Sequence, residues 1–131
     1  GHINDLIYVC APAPLQHAVA MGIRQLDESF YHELRQEYAE KRTILCQALD
    51  AAGLRPWVPQ GAYYVLADAS SVPGDSSKAK GMHLLHTTKV ASVPGEAFYD
   101  DDGGDHMLRF CFAKNHDVLY DACERLTSMP I

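Results

Sequence analysis

The sequence predicts an α+β domain: a small, mostly antiparallel sheet packed with helices and preceded by a long domain-linking helix. Three observations lead there. His106 to Ala113 alternates with a period of two, which sends Leu108, Phe110 and Phe112 to one face. Apolar residues recur at i, i+3, i+4 and i+7 in the first segment, and a similar stripe runs through a much longer second one. The resulting order is helix, long helix, strand, helix, strand, strand, helix, which makes helix layers on a small sheet. The sheet is too small, and a glycine-rich fingerprint too absent, for a dinucleotide-binding fold.

Residues 3–12 look extended and run into Ala11-Pro12-Ala13-Pro14. Pro14 suits a helix's first turn, and Leu15, Ala18, Val19, Gly22, Ile23 and Leu26 carry that helix from about Pro14 to Leu26. Asp27 is the candidate N-cap of the long helix, which runs to about Ala52. Its expected apolar stripe is Phe30, Leu34, Tyr38, Leu45, Ala48, Leu49 and Ala52. Glu33, Arg35, Glu37, Glu40, Lys41 and Arg42 are expected mostly on the other side, with Glu37 and Lys41 an i, i+4 pair. Gly53 is the expected stop.

Leu54–Val58 is a short extended stretch, Pro59-Gln60-Gly61 a turn and Ala62–Ala67 a strand. A loop over Asp68–Asp75 leads to a helix from about Ser76 to Thr88. Val90–Val93 reads as a strand and Pro94-Gly95 as a turn. The acidic run Asp100-Asp101-Asp102-Gly103-Gly104-Asp105 reads as a solvated hairpin loop. Asn115 caps a last helix with Val118, Leu119, Ala122, Cys123 and Leu126 on its buried face. The whole, residues 1–131, reads as a single domain: a helical lead-in and linking helix over 1–52, then a sheet-and-helix body over 53–131.

The bulk numbers exclude several classes. A length of 131 residues supports one domain with a core, and 47% apolar with 21% charged residues is ordinary globular composition. The net charge of −6 gives no basic field for nucleic acid or anionic lipid. No apolar run approaches the roughly 20 residues of a membrane helix, and no secretory signal opens the chain. Cys10, Cys46, Cys111 and Cys123 form no close pair and read as reduced thiols of a cytoplasmic protein. Gly1-His2 without an initiator Met points to residues missing upstream or to a cloning remnant, hence to a fragment.

The residue that stands out chemically is Arg109. It lies mid-strand, with Met107, Cys111 and Ala113 as its neighbours on the same face. A strand-borne guanidinium there suits a carboxylate, gripped through two parallel hydrogen bonds. An arginine at a sheet edge, facing water or paired with an acid, is the other reading. His83 and His86 lie three apart on a helix, but no third ligand stands at a metal-site spacing. His17, His32 and Glu33 make no zinc-protease motif; nucleophile elbow, Walker loop and calcium-loop spacing are all absent.

Three segments occur in a telling order: Pro59-Gln60-Gly61-Ala62-Tyr63-Tyr64, Val90–Phe98 and Leu108–Ala113. With the long helix before them they resemble the C-terminal small domain of class I/II, fold-type I aminotransferases, which use pyridoxal phosphate. Cys10–Gln16 resembles the segment entering the helix after that family's cofactor-lysine region. The resemblance covers nearly the whole chain. It implies that Arg109 grips the substrate α-carboxylate, that Val93-Pro94-Gly95 leads toward the active-site mouth, and that Tyr63 and Tyr64 pack the sheet or face substrate. It implies a parent that moves an amino group from an amino acid to a 2-oxo acid, as a homodimer, by closing this domain over the substrate. The cofactor lysine, its partner aspartate and the phosphate-binding groups are expected upstream, in a large domain, so this chain alone is not expected to transaminate. Ser76-Ser77-Lys78 mimics the run before a cofactor lysine, yet its place between two small-domain strands makes Lys78 a solvated helix residue. A related pyridoxal-phosphate lyase, or a free-standing binding module built from this domain, is the alternative.

Overall fold

The computed structural model describes residues 11–129. Cys10 and most of the stretch expected to be extended over 3–12 lie outside them. The described residues fall into two units, with the boundary between Arg35 and Gln36.

In the first unit, α1 spans Ala13–Gln25, within a residue of expectation, with Pro14 in its first turn. Its apolar stripe is present but uncovered: none of its residues is buried, and Leu15 and Ile23 are 64% and 70% exposed. The long helix α2 spans Glu28–Ala51. Asp27 does cap it, since its Oδ1 accepts from the Ser29 and Phe30 N–H groups at 3.0 and 3.3 Å. With the Ser29 hydroxyl, which also donates to Oδ1, these bonds hold the Asp27 carboxyl below its ordinary pKa. Phe30 and Tyr31 are exposed and meet edge to face at 5.3 Å.

The second unit holds the core. From α2 it takes Leu45, Cys46, Ala48 and Leu49, all buried. Gly53 then turns left-handed at φ 71°, and the Leu54 N–H reaches back to the Leu49 carbonyl at 2.9 Å, which ends the helix. Lys41 departs from expectation. It is buried at 6% exposure, not on a solvated face; its Nζ pairs with Glu37 and lies 5.7 Å from the Tyr38 ring centre. Its aliphatic stem is what the sequence reading undervalued.

Four strands, β1 (Arg55–Trp57), β2 (Tyr64–Asp68), β3 (Val93–Pro94) and β4 (Met107–Cys111), form one antiparallel sheet in the order β1-β2-β4-β3. β2 starts at Tyr64 rather than Ala62 because Ala62 sits at φ 64°, which is incompatible with an extended strand. Val65 and Ala67 of β2 meet Phe110 and Leu108 of β4 across the ladder, and all four are buried. Leu108, Phe110 and Phe112 are at most 2% exposed, so the period-two reading places the core correctly. Each such burial stabilises by about 1.5–3 kcal/mol.

Helix α3 spans Ser77–Thr88, and the Ser76 Oγ caps it by accepting from the Ala79 N–H at 3.2 Å. Lys89 then adopts φ 61° and turns the chain aside. The expected strand over Val90–Val93 is therefore cut to Val93–Pro94, opposite Arg109 and Leu108. Pro94 is tolerated because β3 is an edge strand. The expected Pro94-Gly95 turn is instead a short 3-10 helix over Gly95–Phe98. A second, Asp102–Gly104, lies in the acidic loop, where Asp101 Oδ1 accepts from the Gly103 N–H at 3.0 Å. Helix α4 spans His116–Thr127 and buries Leu119, Cys123 and Leu126. Val118 is 54% exposed, contrary to expectation, because one helical step of about 100° from Leu119 carries it off the core face.

Candidate functional site

Strand alternation builds the site. While β4 sends Leu108 and Phe110 inward, it presents Met107, Arg109 and Cys111 on the opposite face. The register brings Tyr64, Leu66 and Asp68 of β2 onto that same face, with Leu66 directly opposite Arg109. β4 lies between β2 and β3, so neighbours reach Arg109 from both sides.

Two of them are aromatic. The guanidinium carbon of Arg109 is 4.8 Å from the ring centre of Tyr64 and 4.8 Å from that of Phe98. Both rings lie within cation–π distance of the guanidinium. Among the described residues no carboxylate pairs with Arg109 and no group accepts a hydrogen bond from its side chain. The sheet's other arginine, Arg55, is already engaged: its Nη2 is 2.5 Å from Asp68 Oδ2. The Ser70 hydroxyl and N–H, with Arg55 beside them, hold the Asp68 carboxyl below its ordinary value. A half-buried guanidinium thus lies beside two rings with no hydrogen-bond acceptor among the described residues, and a carboxylate is a group that would satisfy its donors.

The turn that carries Phe98 is fixed from below. Ser77 Oγ donates to Glu96 Oε2 at 2.9 Å and accepts from the Glu96 N–H at 3.1 Å. Glu96 Oε2 also accepts from the Lys78 N–H at 3.2 Å, a carboxylate at the start of α3 where the helix dipole favours it. Gly95 and Gly104 approach so closely that a Cβ on Gly95 would lie 2.2 Å from the Gly104 carbonyl oxygen.

The other residues singled out in the sequence do not join this site. Lys78 is exposed in the first turn of α3. His83 and His86 are exposed on the same helix, and among the described residues no three His, Cys, Asp or Glu side chains come together. Tyr63 is 53% exposed and meets Tyr64 edge to face at 5.4 Å. Sequence reasoning missed Phe98 as a partner of Arg109. That contact depends on the β3–β4 pairing and the 3-10 turn, and no local pattern announces either.

A four-stranded antiparallel sheet with helices against its core matches the small domain of aminotransferases. The chain belongs to the aminotransferase class I and II family, whose profile matches residues 2–126. Kynurenine–oxoglutarate transaminase of Dictyostelium discoideum is 34% identical over 149 aligned positions, covering 98% of this chain and 34% of that protein. Kynurenine–oxoglutarate transaminase 3 of Rattus norvegicus is 32% identical, covering 92% and 30%. Among solved structures, N-succinyldiaminopimelate aminotransferase from Mycobacterium tuberculosis superposes with a TM-score of 0.81 at 29% identity, over 94% of this chain and 32% of that one. YbdL from Escherichia coli, described as having a methionine aminotransferase function, gives 0.82 at 30% identity, over 95% and 32%. The chain therefore spans about a third of the length of the relatives it matches.

The family implies pyridoxal phosphate, and the described residues do not fit it. Lys41 is paired with Glu37. Lys80 donates to the Val72 and Gly74 carbonyls, and Lys89 to that of His86. Lys114 lines a cavity of about 310 Å³ with Lys89 and Arg125, but the acid there, Asp121, is taken by Arg125. Nowhere among the described residues do a free lysine, an acid for a ring nitrogen and a phosphate cradle converge.

Proposed function

We propose that this chain is one domain, residues 1–131, of a pyridoxal-phosphate aminotransferase that moves an amino group from an amino acid to a 2-oxo acid. Arg109 is the residue that receives the substrate's α-carboxylate. The observation that carries this is a guanidinium beside two rings with no hydrogen-bond acceptor among the described residues. The carboxylate would take two parallel, charge-assisted hydrogen bonds from the guanidinium edge, which fixes the substrate's orientation as well as its affinity. The cofactor's own ligands belong to parts of the protein outside the described residues. Closure of this domain over the substrate would bring Arg109 to it and exclude water. A homodimeric, cytoplasmic parent goes with this reading.

The test uses the full-length protein with 2-oxoglutarate as acceptor and a panel of amino donors. Kynurenine, the donor named for the relatives, comes first. Arg109→Lys keeps the charge and loses the second parallel hydrogen bond, about 1.5–3 kcal/mol. The reading expects kcat/KM to fall about 10- to 100-fold, mostly through KM. Unchanged constants would remove Arg109 from the site. Borohydride reduction with pyridoxal phosphate, followed by peptide mapping, is expected to mark a lysine outside residues 1–131. A stoichiometric mark on Lys78 would contradict the reading.

A further inference from the structure

Arg109 does not hold itself. A long arginine side chain on an open sheet face has many rotamers, and ordering it has an entropic cost that substrate binding would otherwise bear. Here two ring centres lie 4.8 Å from the guanidinium carbon and limit the space open to it. Tyr64 comes from β2, where the ladder places it diagonally to Arg109. Phe98 comes from the other side, on the 3-10 turn that follows β3.

Phe98 is 47% exposed and belongs to no part of the core, so packing alone does not account for its place. Its turn, by contrast, is tightly specified. Ser77 is fully buried, and its hydroxyl makes a reciprocal pair of bonds with Glu96. That pair ties the turn carrying Phe98 to the first residue of α3. On the turn's other side, the Gly95–Gly104 approach leaves no room for a side chain.

We propose that Phe98 is a positioning residue for Arg109, held by the Ser77–Glu96 latch, and that it completes with Tyr64 an aromatic clamp presenting the guanidinium edge to a carboxylate. The proposal rests on the carboxylate reading of Arg109. It assigns work to three residues: Phe98 orients the cation, and Ser77 and Glu96 orient Phe98.

The clamp is tested in the full-length aminotransferase by measuring KM for the amino donor and kcat separately. Phe98→Leu is expected to raise KM about 2- to 30-fold, the range of a cation–π contact expressed as an affinity ratio. Phe98→Tyr and Phe98→Trp, which keep a ring face, are expected to restore it. Ser77→Ala is expected to raise KM in the same direction, and to add little in the Ser77→Ala, Phe98→Leu double variant because both act through one ring. A merely structural role would instead lower the melting temperature and the active fraction while leaving KM alone. Arg109→Lys is measured alongside. If Arg109→Lys raises KM and Phe98→Leu does not, the clamp is overturned and the carboxylate reading stands. If Arg109→Lys leaves KM unchanged, the carboxylate reading fails and takes the clamp with it.

Discussion

Gly95→Ala should damage this domain out of proportion to one methyl group. The added Cβ would meet the Gly104 carbonyl oxygen at 2.2 Å, the Met107 Cβ at 2.8 Å and the Met107 carbonyl oxygen at 2.9 Å. None of these is the yielding end of a long side chain, so backbone must move. Overpacking of that kind costs about 1–3 kcal/mol, and three contacts against rigid atoms put this case near 3. Gly61→Ala is the internal control. A methyl group there would have nothing within 4 Å, and the Gly61 φ is not in the left-handed range, so the change should be neutral or stabilise by about 0.4–1 kcal/mol through the unfolded chain. The assay is equilibrium denaturation of both variants beside the parent. A gap of about 3 kcal/mol corresponds to roughly 10 °C in melting temperature for a domain of this size. Gly104→Ala should match Gly95→Ala, since its Cβ would lie 2.5 Å from the Gly95 carbonyl carbon. Indistinguishable melting of the Gly95 and Gly61 variants would refute the close approach, and with it the fixed turn beneath Phe98.

Three further outcomes follow from the structure. Leu49→Ala, at a fully buried site, should cost about 2–5 kcal/mol in chemical denaturation, and a loss under about 1 kcal/mol would contradict the core assignment. Asp68 has a folded pKa below its ordinary 3.8, so the stability it confers is fully present above 3.8 and lost as pH falls through the folded value. Asp68→Asn should therefore flatten the acid limb of a stability–pH curve, and an unaltered limb would remove Asp68 from that balance. Iodoacetamide should label exposed Cys111 in the native chain well before Cys46 and Cys123, whose thiols burial both shields and pushes up in pKa; equal rates by peptide mass mapping would argue against that burial.

The sequence made the sheet's core legible because period-two alternation is a strong signal wherever one face is buried, as at Leu108, Phe110 and Phe112. It also showed Arg109 on the face opposite that core, which needs only parity along β4. What stayed hidden depends on tertiary context. Val90–Val93 has strand composition, yet Lys89 in a left-handed conformation withdraws most of it from pairing. Lys41 reads as surface by charge, but its stem is covered and its ammonium is met by Glu37. The stripe of α1 follows helical spacing faithfully and still covers nothing within its own unit. Spacing reports which residues share a face, not what lies against it. The Tyr64–Arg109–Phe98 cluster was invisible for the same reason: its members lie on three segments joined only by the sheet order β2-β4-β3.

The most direct measurement is a crystal structure of the full-length protein with a bound amino-acid or 2-oxo-acid substrate analogue. The α-carboxylate is expected on the Arg109 guanidinium edge, with two parallel N–H···O bonds at about 2.7–2.9 Å, and with Tyr64 and Phe98 on the guanidinium faces. A carboxylate bound elsewhere while Arg109 faces bulk water would contradict it.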